Sequence, residues 1–213
     1  LGRSNIESKP SSRFSNQHLP VRYYSYIWIC KQEPRKLGKS IEDILTLGEI
    51  VQRAHENASP EAWDYMVGGS ETETTLRRNR LALDELAFRP RVLRDVSHID
   101  TSTNILGMPL CMPVFFAPMG SLDQLHDDGA LVPACAAREF GIASMVSSVC
   151  PPGMETVMTE AGGNLMFQLY VRGDEGWIKD HMDQAQELGY KAFCITVDTA
   201  MYGRRERDKM RGF

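Results

Sequence analysis

No two cysteines of this 213-residue chain stand in a Cys-x-x-Cys spacing. The five that occur, Cys30, Cys111, Cys135, Cys150 and Cys194, are odd in number and scattered. Such usage argues against a disulfide framework and for a reducing compartment rather than secretion. Three of them sit in or beside apolar runs, where a free thiol behaves as a small hydrophobe. Long hydrophobic runs are also lacking: the longest near the start, Tyr23 to Cys30, is far shorter than the ~20 residues of a membrane helix. A large charge of either sign is lacking too. The net charge of -4 offers no general attraction to nucleic acid or acidic membranes. No Gly-x-Gly-x-x-Gly follows any of the apolar runs, which weakens a dinucleotide-binding reading.

What remains is 42% hydrophobic and 24% charged, ordinary for a soluble globular domain. The charge is uneven. Residues 1–38 carry seven Lys/Arg (Arg3, Lys9, Arg13, Arg22, Lys31, Arg35, Lys36) against two acids, so the acidic excess lies beyond them. Residues 1–39 therefore read as a basic, serine-rich arm: a flexible or docking segment, or the remnant of an organelle transit signal. A cytoplasmic or organelle-matrix location follows, mitochondrial if the arm is a transit remnant.

Ser40 ahead of Ile41, Ile44, Leu47, Val51 and Ala54, with Asp43 three residues on, reads as a capped amphipathic helix. Ser59-Pro60 opens a second, with Trp63, Met66 and Val67 as its packing face and Gly68-Gly69 as its end. A third runs from about Thr72 to Leu86. The pattern then changes. Pro113–Met119, Ile142–Ser148, Leu165–Val171 and Ala192–Asp198 are continuous apolar strands, and helices over Asp127–Phe140, Met154–Thr159 and Asp174–Leu188 separate them. Pro133 either kinks its helix or places the start later. Continuous apolar strands alternating with helices indicate an α/β fold with a parallel sheet buried on both faces. Four such units suit a doubly wound sheet or half of a (β/α)8 TIM barrel, which typically takes ~250 residues when complete.

Each strand turns polar at its C-terminal end: Ala117-Pro118-Met119-Gly120-Ser121, Ser147-Ser148, Gln168 with Tyr170, Thr196 with Asp198. Residues i and i+2 of a strand share a face, so Gln168 pairs with Tyr170 and Thr196 with Asp198. Either these side chains line a barrel's C-terminal rim, where such folds do chemistry, or the strands are simply entering loops. An unpaired polar group inside an apolar strand costs roughly 1–3 kcal/mol, so something polar is expected to face Gln168 and Thr196.

These residues also form a family pattern. Asp64-Tyr65, Thr75-Leu76, Asn79-Arg80 and Phe88-Arg89-Pro90-Arg91-Val92-Leu93 lead into Met112-Pro113, Ala117-Pro118 and Ser147-Ser148. Phe167-Gln168-Leu169-Tyr170, Thr196-Val197-Asp198-Thr199 and Gly203-Arg204-Arg205-Glu206-Arg207-Asp208 follow in order. Over residues 40–213 the chain resembles the N-terminal half of the FMN-dependent 2-hydroxy-acid dehydrogenases and oxidases. The resemblance implies the N-terminal helices and first four βα units of a TIM barrel. Its implied activity is oxidation of a lactate-, glycolate- or mandelate-like 2-hydroxy acid to a 2-oxo acid. It implies FMN beside Pro118, Met119 and Gly120, with Ser147, Gln168 and Thr196 on its polar edge. Tyr65, Tyr170 and Arg205 are implied to hold the substrate, Arg205 through a two-bonded guanidinium–carboxylate pair. Asp198 is implied to orient a histidine base; otherwise it caps the turn after its strand. That histidine is absent: His18, His55, His98, His126 and His181 lie outside the family's His-Gly-Gly motif.

Glycine at position 120, where many members carry alanine, and Val149, where members acting on glycolate carry tryptophan, imply a roomier pocket. Two other readings remain. One is a different FMN-dependent barrel enzyme, an isomerase or reductase, which the carboxylate-holding Tyr65 and Arg205 disfavour. The other is a non-catalytic half-barrel interaction protein. No metal site is expected. Half a ring leaves unpaired strand edges and apolar faces at Val114, Phe116, Met145, Phe167 and Phe193 open to water. The rest of the barrel, with the base and the phosphate site, is therefore expected on a second chain or a further stretch of this one, and a homo-oligomer with it.

Overall fold

The computed structural model describes residues 44–199 and 201–211. The basic arm and the expected Ser40 cap with Asp43 lie outside them. Helix α1 (Leu47–Asn57) starts later than its apolar spacing suggests, because Thr46 supplies the cap. Thr46 Oγ1 accepts from the Glu49 amide at 3.2 Å, and the Glu49 carboxylate accepts from the Thr46 amide at 3.2 Å. Two orphan N–H groups are satisfied reciprocally. Helix α2 (Pro60–Val67) is capped as expected, with Ser59 Oγ accepting from the Ala62 amide at 3.1 Å. Its packing face differs in part: Trp63 and Val67 are half-buried, but Met66 is exposed and Ala62 is the buried residue. The reason is that α2 meets its neighbour through carbonyls and Asp64 rather than through an apolar stripe. Helix α3 spans Thr74–Asp84.

An antiparallel hairpin of β1 (Thr103–Ile105) and β2 (Met108–Leu110) follows, absent from the sequence expectation. Its two-residue turn puts Leu106 (φ 51°) and Gly107 (φ 80°) in the left-handed region, the requirement of a type I′ turn. Leucine in the first turn position hides the usual Asn-Gly signal. Met108 and Leu110 pack with Ala143 and Met166 at the N-terminal ends of the next strands, closing that end of the sheet.

The main sheet holds β3 (Phe115–Phe116), β4 (Ala143–Ser147), β5 (Leu165–Tyr170) and β6 (Phe193–Thr196), parallel and in chain order. The outer two are shorter than their apolar runs because each has a ladder partner on one side only. Helices α4 (Leu131–Phe140), α5 (Met154–Glu160) and α6 (Glu175–Leu188) connect them. Pro133 falls in the first turn of α4, where no intrahelical N–H partner is needed; the helix starts at Leu131, not Asp127.

The core lies between sheet and helices, built from Val146, Leu165, Phe167, Leu169, Val157, Ala134, Ala185 and Tyr190. Phe167 is thus a correction: it is 2% exposed, its ring 5.7 Å from Tyr190 and 5.8 Å from Phe193. It belongs to the helix-covered face, whereas Met166, Gln168 and Tyr170 belong to the other. Val114 and Phe116 are open to water as expected. A short helix α7 (Glu206–Met210), also unforeseen, ends the described chain.

Candidate active site

Three strands deliver one polar side chain each to the face opposite the helices at the sheet's C-terminal end. Ser147 Oγ of β4 donates to Gln168 Oε1 of β5 at 2.7 Å, and Gln168 Nε2 donates to Thr196 Oγ1 of β6. Ser147 and Gln168 are buried and Thr196 half-buried. The polar partners expected for Gln168 and Thr196 are therefore each other and Ser147. This relay leaves donors unspent: the second Nε2 hydrogen of Gln168 and the Thr196 hydroxyl hydrogen. Beside it, Ser148 Oγ accepts from the Tyr170 amide at 3.1 Å, and the Ser148 amide donates to the Gln168 carbonyl at 2.8 Å. Tyr170, the last residue of β5, is half-buried; Asp198, two residues past β6, is exposed and has no partner among the described residues.

The loop after β3 reaches this rim. Pro118 and Gly120 are half-buried and Met119 is exposed. The Ser121 amide donates to the Val149 carbonyl at 3.2 Å, tying this loop to the one after β4. A methyl group at Gly120 would lie 2.8 Å from Val149 Cγ2. The room expected beside Gly120 is therefore already filled by Val149, and the two positions form a matched pair. Valine is stiff at χ1, so Gly120→Ala is expected to destabilise the full-length protein by about 1 kcal/mol, with Gly120→Ala/Val149→Ala recovering the loss. Thermal unfolding checks this: an unchanged Tm in the single variant would mean the contact yields freely.

A second cluster joins Tyr65 of α2 to the segment before α7. The Arg205 guanidinium lies 4.8 Å from the Tyr65 ring centroid, within cation–π range. Its Nη2 donates to the carbonyls of Tyr65 and of Gly68 (3.4 Å), and its Nε donates to Asp208 Oδ2 at 2.5 Å. Two edges of the guanidinium are thus engaged within the chain and Nη1 is the nitrogen left over. The two-bonded fork implied by resemblance is spent on Asp208 and the α2 carbonyls, so Arg205 presents one nitrogen outward. Asp208, which sequence reasoning missed, is buried, and its Oδ1 has no hydrogen-bond partner. Its signal is the three-residue spacing from Arg205, which brings an N-cap residue and the third residue of the helix together.

Three of the described histidines are engaged locally: His55 packs on Trp63, His181 on Trp177, and His126 Nδ1 accepts from the Asp128 amide at 3.2 Å. Among the described residues no cluster of His, Cys, Asp and Glu could hold a metal.

The family of FMN-dependent dehydrogenases matches residues 54–213. The chain belongs to that family. The L-lactate oxidase of a Nostoc species is 36% identical over 82% of this chain and 49% of its own length. Glycolate oxidase 3 of Oryza sativa is 38% identical over 79% of this chain and 46% of its own. Among solved structures, that of mandelate oxidase superposes with a TM-score of 0.76 at 33% identity, covering 80% of this chain and 49% of that one. The chain thus spans about half the length of the relatives it matches, and its four parallel strands are the first half of their TIM barrel. The family cofactor fits the relay chemically: two unspent donors on a buried, rigid scaffold suit the acceptor oxygens of a flavin's polar edge.

Proposed function

We propose that this chain supplies the flavin-facing half of an enzyme that oxidises a 2-hydroxy acid to a 2-oxo acid. The observation that carries the reading is the Ser147–Gln168–Thr196 relay, which spans three adjacent strand ends and keeps two donors free. FMN, when bound, supplies the acceptor for the two electrons that leave the substrate. Gln168 and Thr196 hold its polar edge, and the backbone of Pro118, Met119 and Gly120 lines its side. Arg205 Nη1 attracts the substrate carboxylate, while Tyr65 and Tyr170 donate from their phenol hydroxyls to the carboxylate or the hydroxyl of the substrate. Asp198 orients a histidine base that the remainder of the barrel contributes, and holds a counter-charge for it as it takes the proton. The proposal includes that remainder, as further chain or separate polypeptide, and a homo-oligomer in the cytoplasm or an organelle matrix.

The test is anaerobic mixing of the full-length protein with lactate, glycolate and mandelate, following the visible flavin band. Bleaching by at least one acid is expected; a yellow protein that none of them bleaches would overturn the reading. In the same assay Tyr170→Phe is expected to slow reduction about tenfold or more, the worth of one hydrogen bond to a charged group. Asp198→Ala is expected to slow it by about a hundredfold or more. Wild-type rates in both variants would remove their assigned roles.

A further inference from the structure

Tyr65 sits on a helix that shares little with the main sheet. Of α2, only Ala62 is buried, and the segment after α3 is open to water through Phe88 and Leu93. What α2 packs on is α7. Four hydrogen-bonded links make that junction, beside a longer ion pair of Arg207 Nη1 with Asp64 Oδ1 at 3.9 Å. Arg205 reaches the carbonyls of Tyr65 and Gly68, the Glu71 amide donates to the Arg204 carbonyl at 2.7 Å, and Arg211 Nε meets Asp64 Oδ2 at 2.9 Å. The fourth is the two-bonded one: Arg207 Nε to Glu73 Oε1 at 2.6 Å and Nη2 to Glu73 Oε2 at 2.8 Å.

Glu73 is the centre of the junction. Its Oε1 also accepts from the Gly69 amide at 3.2 Å, so one carboxylate gathers the end of α2, the start of α3 and α7. Its backbone has φ 58°, and Glu71 two residues earlier has φ 50°. Two non-glycine residues in the left-handed region persist only where their surroundings over-determine them. The loop they shape is also tightly apposed to the segment before α7: a Cβ at Gly203 would lie 2.2 Å from Ser70 Oγ. The Arg207 guanidinium holds the Glu73 carboxyl below its ordinary range, so the pair stays charged into mildly acidic solution.

We propose that Glu73 and Arg207 are positioning residues. Their two-bonded ion pair fixes α2 on α7 so that the Tyr65 ring stays stacked on Arg205, and so sets the affinity for the substrate carboxylate. The inference rests on the proposed function and extends it to two residues outside the strand ends. Neither touches the relay; both act through Tyr65 and Arg205. Arginine matters here because its planar fork matches a carboxylate with two parallel bonds, which lysine cannot.

The experiment uses the full-length protein with Arg207→Gln, Glu73→Gln and Arg207→Lys, and reads steady-state kinetics beside hydrogen exchange of residues 68–73. Misplacing a positioning group can cost up to roughly a hundredfold. Arg207→Gln is expected to raise KM for the 2-hydroxy acid about tenfold with kcat nearly unchanged, to leave the flavin band intact, and to speed exchange at the Glu71 and Gly69 amides. Glu73→Gln should do the same, and Arg207→Lys should recover part of the loss. Faster exchange with an unchanged KM would make the pair merely structural and overturn the proposal. Unchanged exchange and KM would overturn it as well, since the clasp would then hold nothing. A wild-type protein that oxidises no 2-hydroxy acid would overturn the proposed function, and the substrate role of the pair with it, while the exchange data would still report the clasp.

Discussion

Gln168→Leu is expected to yield a colourless and less stable protein. Leucine keeps the volume but removes both functions of the amide. Ser147 Oγ loses its acceptor and Thr196 Oγ1 its donor, in a place where Ser147 and Gln168 are 2% and 3% exposed. A buried polar group left unpaired costs about 1–3 kcal/mol, so buried Ser147, with a smaller loss at half-buried Thr196, is expected to lower stability by about 2–4 kcal/mol. The flavin edge loses a donor at the same stroke. Gln168→Glu separates the two effects: a carboxylate still accepts from both neighbouring hydroxyls, so the fold is expected to survive, but it has no hydrogen for the flavin. Flavin content after gel filtration and thermal unfolding read the outcome. Stoichiometric flavin and a wild-type Tm in Gln168→Leu would show that the relay is not the cofactor's anchor.

Residues 37–213 produced alone are expected to associate rather than to stay monomeric. Strands β3 and β6 each pair on one side only, and open apolar edges recruit other chains. Apolar side chains of the two outer strands are open to water: Phe115, Phe116 and Ile195 are each about 40% exposed, and Val197, just past β6, is 86% exposed. Barrel interiors are filled by layers drawn from alternate strands around the whole ring, and four neighbouring strands cannot complete one. Sedimentation should show a polydisperse sample that binds a hydrophobic dye and unfolds without a sharp transition. Supplying the second half of the barrel in trans should sharpen that transition. A monodisperse, cooperatively unfolding monomer would prove the expectation wrong.

The βα succession was legible because it depends on local rules. Apolar runs of strand length, Ser59 as a cap and Gly68 as a helix end all act within a turn of their own position. The facing of Gln168 and Thr196 was legible as a demand, since an apolar strand cannot bury an amide unpaired; only the fold supplied Ser147 as the partner. The hairpin escaped because Leu106 pays a backbone cost that asparagine would not. Phe167 was assigned to the wrong face because a strand covered on both sides carries no alternation to read. Arg205 is singled out by the resemblance, but its engagement by the α2 carbonyls joins residues about 140 positions apart. No spacing rule reaches that far.

The order of the four strands in space repeats their order along the chain, each pairing with one only about 20 to 30 residues away. Contacts so close in sequence need little loop closure and form early. As the polypeptide leaves the ribosome, each new strand meets an edge that its predecessor has just made. The β1–β2 hairpin is synthesised first and is ready to seat Ala143 and Met166 as they arrive. β6 then becomes the growing edge. Among the described residues the long-range step in an otherwise nearest-neighbour assembly is the docking of α7 on α2, about 140 positions away, which must wait until the fourth strand has been made.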